Sequence, residues 1–537
     1  IPVASGFVIG IWQIIISTQQ SDFGGLEGDF GYRYSIEWAG LHHLYAFLFA
    51  TILFADIRRT NEVGGIGLVF DKIIDSKYSI PVISAITTAV IFIPGLDDSY
   101  EPVRHVDWHM GLYNILAQNL LDYGVFNRCG GTVLVEGDMS SYYSGCWVYP
   151  TYWFNPLIWP LAIVTKIGFN PIISSRIIVL ICQFLILLLL GRNVEIWFGR
   201  GSGALAIVAL VSSMQLNFYG EIYAPQLAIM IWCLALLYVW STILKGNDWG
   251  PKMGLIWALT LFGPIAMGAS TTIFGMSFFA LSYLFFEEYR GKIAKGFVVV
   301  TSSGIASWFI WRYAIDYYWG EMGGSETNLI GKARYRSQSF DYLSSADYYI
   351  TTLERAGWLL NVVVICGLFL LVMHICFSRD SDSESKDFAK KLIFFCSPFI
   401  LMQIQVSLMF PQSINQHDYL NVYWLIIPGS VAFASLTRPK FSALTLCFLI
   451  VSSTIVASDL EKMDSRHEGS NNPHLHQIQD WMYHNLEGDE TILLTDDLYR
   501  NSLIVALSSN NVLVRPINDS SDYPEEWLMD SLFDVVL

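Results

Sequence analysis

Charge is what this chain has least of. Asp, Glu, Lys and Arg make up 15% of its 537 residues, against about 25% in an ordinary soluble domain. Basic charge is the scarcer kind: 31 Lys and Arg stand against 47 Asp and Glu, a net of −16. That balance argues against nucleic acid as a partner, because a polyanion needs a basic surface. The eight cysteines show no spacing that suits zinc or an iron–sulfur cluster. No charged n-region precedes the first apolar stretch, so no signal peptide is read. No internal repeat or low-complexity tract stands out. What is abundant is apolar: 53% of the residues are hydrophobic and 15% are aromatic, with a mean hydropathy of +0.43. So few charges cannot solvate several soluble domains, and the composition is that of a polytopic membrane protein with aromatic belts. The chain begins at Ile1 without Met and stops in the apolar run Phe533–Leu537, and both ends read as those of a piece of a longer protein.

Stretches apolar and long enough to cross about 30 Å of hydrocarbon fall at 3–19, 39–57, 80–96, 173–191, 203–219, 225–244, 253–271, 273–288, 296–312, 358–377, 392–410, 419–437 and 441–457. That predicts about 13 transmembrane helices. A further stretch, 154–170, contains Pro156 and Pro160 and reads as a re-entrant or interfacial element. Basic residues orient the set. Arg58, Arg59, Lys72 and Lys77 mark one loop, and Arg192 with Arg200 the next. Lys245 with Lys252 follow, then Arg290, Lys292 and Lys295, then Arg379, Lys386, Lys390 and Lys391, and finally Arg438 with Lys440. All six clusters fall on one side of a thirteen-span bundle, and that side is the cytoplasmic one.

The other side receives residues 97–172, 313–357 and the tail from 458. The tail holds 16 Asp and Glu against four Lys and Arg. Its 476–484 segment has helical spacing, 491–495 and 512–514 read as buried strands, and 502–508 as a short helix between them. This predicts a small external α/β unit without a Gly-rich phosphate loop. The organisation expected is thus 1–79 with two additional helices, 80–457 as the membrane domain, and 458–537 as the external α/β domain. Cys129 and Cys146 share an external loop and could pair in an oxidising compartment.

Four external places gather polar groups. His105-Val106-Asp107-Trp108-His109 precedes an amphipathic stretch, 110–123, with Leu112, Ile115, Leu116, Asn119, Leu120 and Tyr123 at helical spacing. Asp107 is there either a general base or divalent-cation ligand, or a helix cap. His105 and His109 form an i, i+4 pair with no third ligand evident. The second place, Tyr149 to Pro156 with Tyr152 and Asn155, is a rigid aromatic turn that suits a sugar face, an isoprenoid chain or an ordinary interfacial belt. The third is Tyr219-Gly220-Glu221-Ile222-Tyr223, a carboxylate so near hydrocarbon that it is either paired or functional. The fourth is Asn415-Gln416-His417-Asp418-Tyr419, where His417 and Asp418 at a helix start could grip a phosphate or pass on a proton, and Asp418 could equally be a cap. In the 313–357 loop Lys332, Arg334 and Arg336 form a basic cluster in acidic surroundings, fit for a phosphate leaving group or simply solvated. A donor with a lipid tail in the bilayer and an anionic head outside fits this set. Transport fits less well, since the spans carry almost no ionisable residues near mid-membrane.

In this order and sidedness the chain resembles the integral-membrane C-type (GT-C) glycosyltransferases, the superfamily of protein O-mannosyltransferases and lipid A aminoarabinose transferases. The Asp107 region is similar to their first external acidic motif, and Ala117 to Gly124 to their interfacial helix. Tyr149–Leu157 with Arg176 resembles the His-Pro-Pro region and its trailing Arg. Glu221-Ile222-Tyr223-Ala224-Pro225 resembles their acidic–aromatic turn, and His417-Asp418-Tyr419 with Pro428 the late His-x-Tyr element. Two departures stand out: Trp108 occupies the place of a second carboxylate, and Asn155-Pro156 replaces His-Pro-Pro. The resemblance covers about 80–520. It implies an inverting glycosyltransferase using a polyprenyl-phosphate-linked sugar, working at the external face of a prokaryotic plasma membrane. It further implies Asp107 as base, Glu221 as an orienting carboxylate, and His417 with Lys332, Arg334 and Arg336 at the donor phosphate. His105, His109, Tyr152, Asn155, Tyr223 and Tyr419 would contact substrate. No cofactor is required, although a divalent cation is compatible with Asp107. The rival expectation is a non-catalytic scaffold or assembly subunit that keeps this fold within a membrane protein complex. A weaker one is a transporter of polyprenyl phosphate or another lipid.

Overall fold

The computed structural model describes residues 72–92, 157–169, 171–211, 225–246, 250–267, 269–319, 362–377, 383–409 and 423–436. It also describes positions 113, 117, 120, 121, 216 and 223, and the strand residues 491–494, 511–514 and 535–536. The expected spans 3–19, 39–57 and 441–457, the expected helices 476–484 and 502–508, and Cys129 with Cys146 lie outside them.

Ten of the thirteen expected spans fall on helices. These are α1 (Ser79–Phe92), α3 (Pro171–Phe198), α4 (Ser202–Val211), α5 (Pro225–Gly246), α6 (Pro251–Met267), α7 (Ala269–Phe285), α8 (Arg290–Trp319), α9 (Val362–Phe377), α10 (Ser383–Met409) and α11 (Ile426–Leu436). The element expected to be re-entrant is α2 (Ile158–Lys166). Its nine residues rise only about 13 Å, too little to cross a bilayer, and Pro160 sits in its first turn, where no intrahelical N–H bond is lost. Three helices open on proline, at Pro171, Pro225 and Pro251, the first-turn position where its fixed φ helps and its missing N–H costs nothing. Among the described residues, Ile173–Phe198 and Gln226–Gly246 are long and apolar enough to span a membrane on their own.

The links from α3 to α4, from α5 through α8, and from α9 to α10 are short, so neighbours there run antiparallel. Gly199-Arg200-Gly201 joins α3 to α4 with φ of 87° and 81° at its glycines, a left-handed turn that a side chain would strain. A 3-10 turn, Glu287–Tyr289, joins α7 to α8. α3 packs against α1, α2, α4 and α5, α8 against α6 and α7, and α10 against α7 and α9.

The surface and the interior have exchanged their usual chemistry. Leu284, Val298 and Phe309 are each more than 60% exposed, and Ile86, Ile181, Trp257 and Ile404 lie open on other helices. Such an apolar surface, spread over the whole bundle, is solvated by lipid rather than water. The buried polar side chains among the described residues are hydroxyls and amides, with no Asp, Glu, Lys or Arg. Several tie one helix to the next. Asn193 Nδ2 donates to the Leu234 carbonyl at 2.9 Å, Trp197 Nε1 to Ser241 Oγ at 2.8 Å, and Trp240 Nε1 to Ser282 Oγ at 3.1 Å. Asn193→Leu is expected to lower stability by about 1 kcal/mol, the usual worth of such a bond between membrane helices. A denaturation midpoint in detergent checks this, and an unmoved midpoint would show that the contact contributes nothing.

Four of the six basic clusters meet at one end of the bundle. Lys245 lies over the Trp197 ring at 5.0 Å and within electrostatic reach of Lys391 and Asp387. Trp197 touches Phe286, Phe198 touches Phe388, and Phe388 touches His374. The ends of α3, α5, α7, α9 and α10 therefore share one layer. Most of these charges sit on helices, not in loops as the sequence suggested. Arg192 is inside α3, Arg290, Lys292 and Lys295 open α8, and Lys386, Lys390 and Lys391 lie on the first turns of α10.

In the tail, β1 (Thr491–Leu494), β2 (Asn511–Val514) and β3 (Val535–Val536) form a parallel sheet in the order β2-β1-β3. The first two are the strands expected at 491–495 and 512–514. The third lies in the terminal apolar run, which the sequence reading left unassigned.

Candidate functional site

Tyr113, Leu157 and Tyr223 meet at the end of the bundle opposite the basic layer. Tyr223, two residues ahead of α5, is wholly buried. Its hydroxyl donates to the Leu157 carbonyl at 2.6 Å, and its ring meets Tyr113 edge-on with centroids 5.4 Å apart. Leu157 is the residue from which α2 starts, and Tyr113 belongs to a helical segment with Ala117, Leu120 and Leu121. One tyrosine thus ties together Tyr113, the start of α2 and the residue two positions ahead of α5. In sequence, Asp107 is six residues from Tyr113, Asn155 two from Leu157, and Glu221 two from Tyr223.

The helix expected after Asp107 is described at positions 113, 117, 120 and 121. Tyr113, Ala117 and Leu120 are at most 6% exposed. They stand at i, i+4 and i+7, one face of a helix, beside the expected stripe of 112, 115, 116, 119, 120 and 123. Leu120 is shared; the other five lie outside the described residues.

A second buried contact lies deeper in the bundle. Gln183 Nε2, some 18 Å along α3 from Pro171 by helical rise, donates to the Tyr423 hydroxyl at 2.8 Å. Trp424 packs on Phe274 and Phe399. His417 is six residues and Tyr419 four residues ahead of Tyr423. Lys332, Arg334 and Arg336 belong to the chain between α8 and α9, whose flanking ends lie on this same side of the bundle. Arg176 stands in the second turn of α3, half-buried beside the buried Ser174 and Ser175.

Of the residues singled out in the sequence, the described set contains Tyr223. His105, Asp107, His109, Tyr152, Asn155, Glu221, Lys332, Arg334, Arg336, His417 and Tyr419 lie outside it. Among the described residues no three His, Cys, Asp or Glu stand close enough to hold a metal ion. Sequence reasoning missed Tyr113, the Leu157 carbonyl, Gln183 and Tyr423. A glutamine in the middle of an otherwise apolar span was the available signal, since a buried amide needs a partner.

Tyr223→Phe is expected to cost about 0.5 to 1.5 kcal/mol, the net worth of one hydrogen bond, because the Leu157 carbonyl still accepts the Leu161 N–H at 3.3 Å. The ring contact with Tyr113 survives in that variant. A thermal unfolding midpoint equal to that of the unaltered chain would mean the bond is not formed.

No family model matches the chain, and no curated protein does. The apo crystal structure of the Archaeoglobus fulgidus oligosaccharyltransferase is similar in fold, with a TM-score of 0.52 at 13% identity. The match covers 81% of this chain and 65% of that one. The chain accordingly shares the helical membrane-bundle fold of an archaeal oligosaccharyltransferase.

Proposed function

We propose that the chain is a glycosyltransferase that moves a sugar or oligosaccharide from a polyprenyl-phosphate donor to a protein, lipid or glycan acceptor at the external face of the membrane. The observation that supports this reading is the junction of Tyr223, Tyr113 and Leu157 in a bundle with this fold, three residues that follow Glu221, Asp107 and Asn155 by two, six and two positions in sequence. In the proposed reaction an acceptor oxygen or nitrogen forms a bond to the anomeric carbon while the bond from that carbon to the donor phosphate oxygen breaks. The acceptor proton passes to Asp107 as general base. The electron pair leaves on the lipid phosphate, whose growing negative charge is met by Lys332, Arg334, Arg336 and His417. Glu221 orients the sugar or one of these groups. His105, His109, Tyr152, Asn155 and Tyr419 line the substrate's path, and Tyr223 holds the frame. A divalent cation beside Asp107 is compatible with this scheme.

The test is a transfer assay on the purified chain in liposomes, with labelled polyprenyl-phosphate mono- and oligosaccharides and with or without magnesium or manganese. Transfer or donor hydrolysis from one of them supports the enzyme. No turnover from any donor, with stoichiometric co-purification of other membrane subunits, would replace it by the scaffold reading.

A further inference from the structure

At the basic end, three segments distant in sequence meet around one spot. Trp197 closes α3, Lys245 closes α5, and Asp387 with Lys391 lie on the opening turns of α10. Lys391 is paired with Asp387 and keeps 25% of its side chain exposed. Lys245 lies over the Trp197 ring within electrostatic reach of both. Arg192 is engaged with Glu195 at 3.0 Å, so that pair adds no net charge. The first nine residues of α10 carry Lys386, Lys390 and Lys391 against Glu384 and Asp387, and Lys245 raises the local surplus to two. The amide end of α10 adds positive potential at the same place.

Apolar surface adjoins this charge. Trp197 packs on Phe394, one turn beyond Lys391, and Phe388 packs on Phe198 and His374. On α9, which packs against α10, Val372 and Ile375 are 56% and 41% exposed. We propose that the junction of Lys245, Lys391 and Trp197 binds the phosphate of an anionic phospholipid whose acyl chains lie along the exposed face of α9. A phosphodiester supplies the single negative charge that the two neighbouring ammonium groups lack. The apolar strip beside them favours a lipid over free phosphate, which would leave that strip unused. The inference rests on the bundle lying in a bilayer and not on the transfer reading, and it stands or falls separately from it.

The experiment compares the full chain in phosphatidylcholine nanodiscs with and without phosphatidylglycerol of the same chain length, and reads retained lipid by native mass spectrometry. The unaltered chain is expected to enrich phosphatidylglycerol. Lys245→Gln with Lys391→Gln is expected to cut that enrichment by roughly fivefold per lysine, while Lys245→Arg with Lys391→Arg keeps it. No enrichment in the unaltered chain, which needs no variant to be seen, would overturn the proposal, as would enrichment unchanged in the double glutamine variant. A third arm adds inorganic phosphate in detergent. Thermal protection by phosphate, without phosphatidylglycerol enrichment, would make this a free-phosphate site and overturn the lipid.

Discussion

Asp107→Asn is expected to lower sugar transfer by about 10²- to 10⁴-fold, the usual share of a general base in such a step. The amide has the size and shape of the carboxylate but cannot take the acceptor's proton. The loss should therefore fall on kcat, with the donor KM little changed. A thermal unfolding midpoint measured beside the assay separates lost chemistry from lost fold. A chain that folds normally, binds donor and fails to turn over would assign the proton to Asp107. Full activity in the variant would remove Asp107 from the chemistry and leave Glu221 as the carboxylate to replace next. Equal loss of donor binding and turnover would instead point to a role in holding the donor.

Gly203→Leu is expected to yield no folded chain, and Gly203→Ala to cost at least about 3 kcal/mol, the upper end of ordinary overpacking. Gly203 begins α4 where it crosses α3, and a Cβ there would run into the carbonyl of Gly191. The obstacle is backbone, so no rotamer change relieves it and the two helices would have to part. Ile80 of α1 and Ile207 of α4 press on the same crossing, so parting them would loosen α1 as well. Gly254→Ala on α6 is the matched control, because a Cβ there meets nothing within 4 Å. It should gain about 0.5 to 1 kcal/mol from helix propensity alone. Thermal unfolding in detergent reads both. A Gly203→Ala chain as stable as the control would show that α3 and α4 do not approach this closely.

Much of the bundle was legible because its signal is local. Apolar runs marked ten helices, although α10 opens nine residues before its expected start and α3 runs seven past its expected end, and Pro156 with Pro160 set α2 apart as short. Basic residues gave the common end, although many proved to sit on the helices themselves. The strands at 491–494 and 511–514 followed from short apolar runs between turn residues. The burial of Tyr113 was not legible, because its partner Tyr223 lies 110 residues further along the chain. Tyr223 itself looked like a substrate contact, since nothing nearby in sequence announces that its hydroxyl is taken by Leu157, 66 residues away. The likeness in order and sidedness led to a fold that the oligosaccharyltransferase shares. The donor, the acceptor and the proton carrier are chemistry that a fold at 13% identity does not transmit.

The bond from Gln183 to Tyr423 spans 240 residues, and that span sets a clock. At about 5 to 20 residues per second of synthesis, α3 would wait roughly 12 to 48 seconds before Tyr423 emerges. Through that interval the amide of Gln183 must be served by something other than its final partner, such as water at the insertion machinery or another helix. The halves of the bundle therefore close late, and a chaperone or lipid that shelters α3 in the meantime would govern yield more than any property of the finished fold.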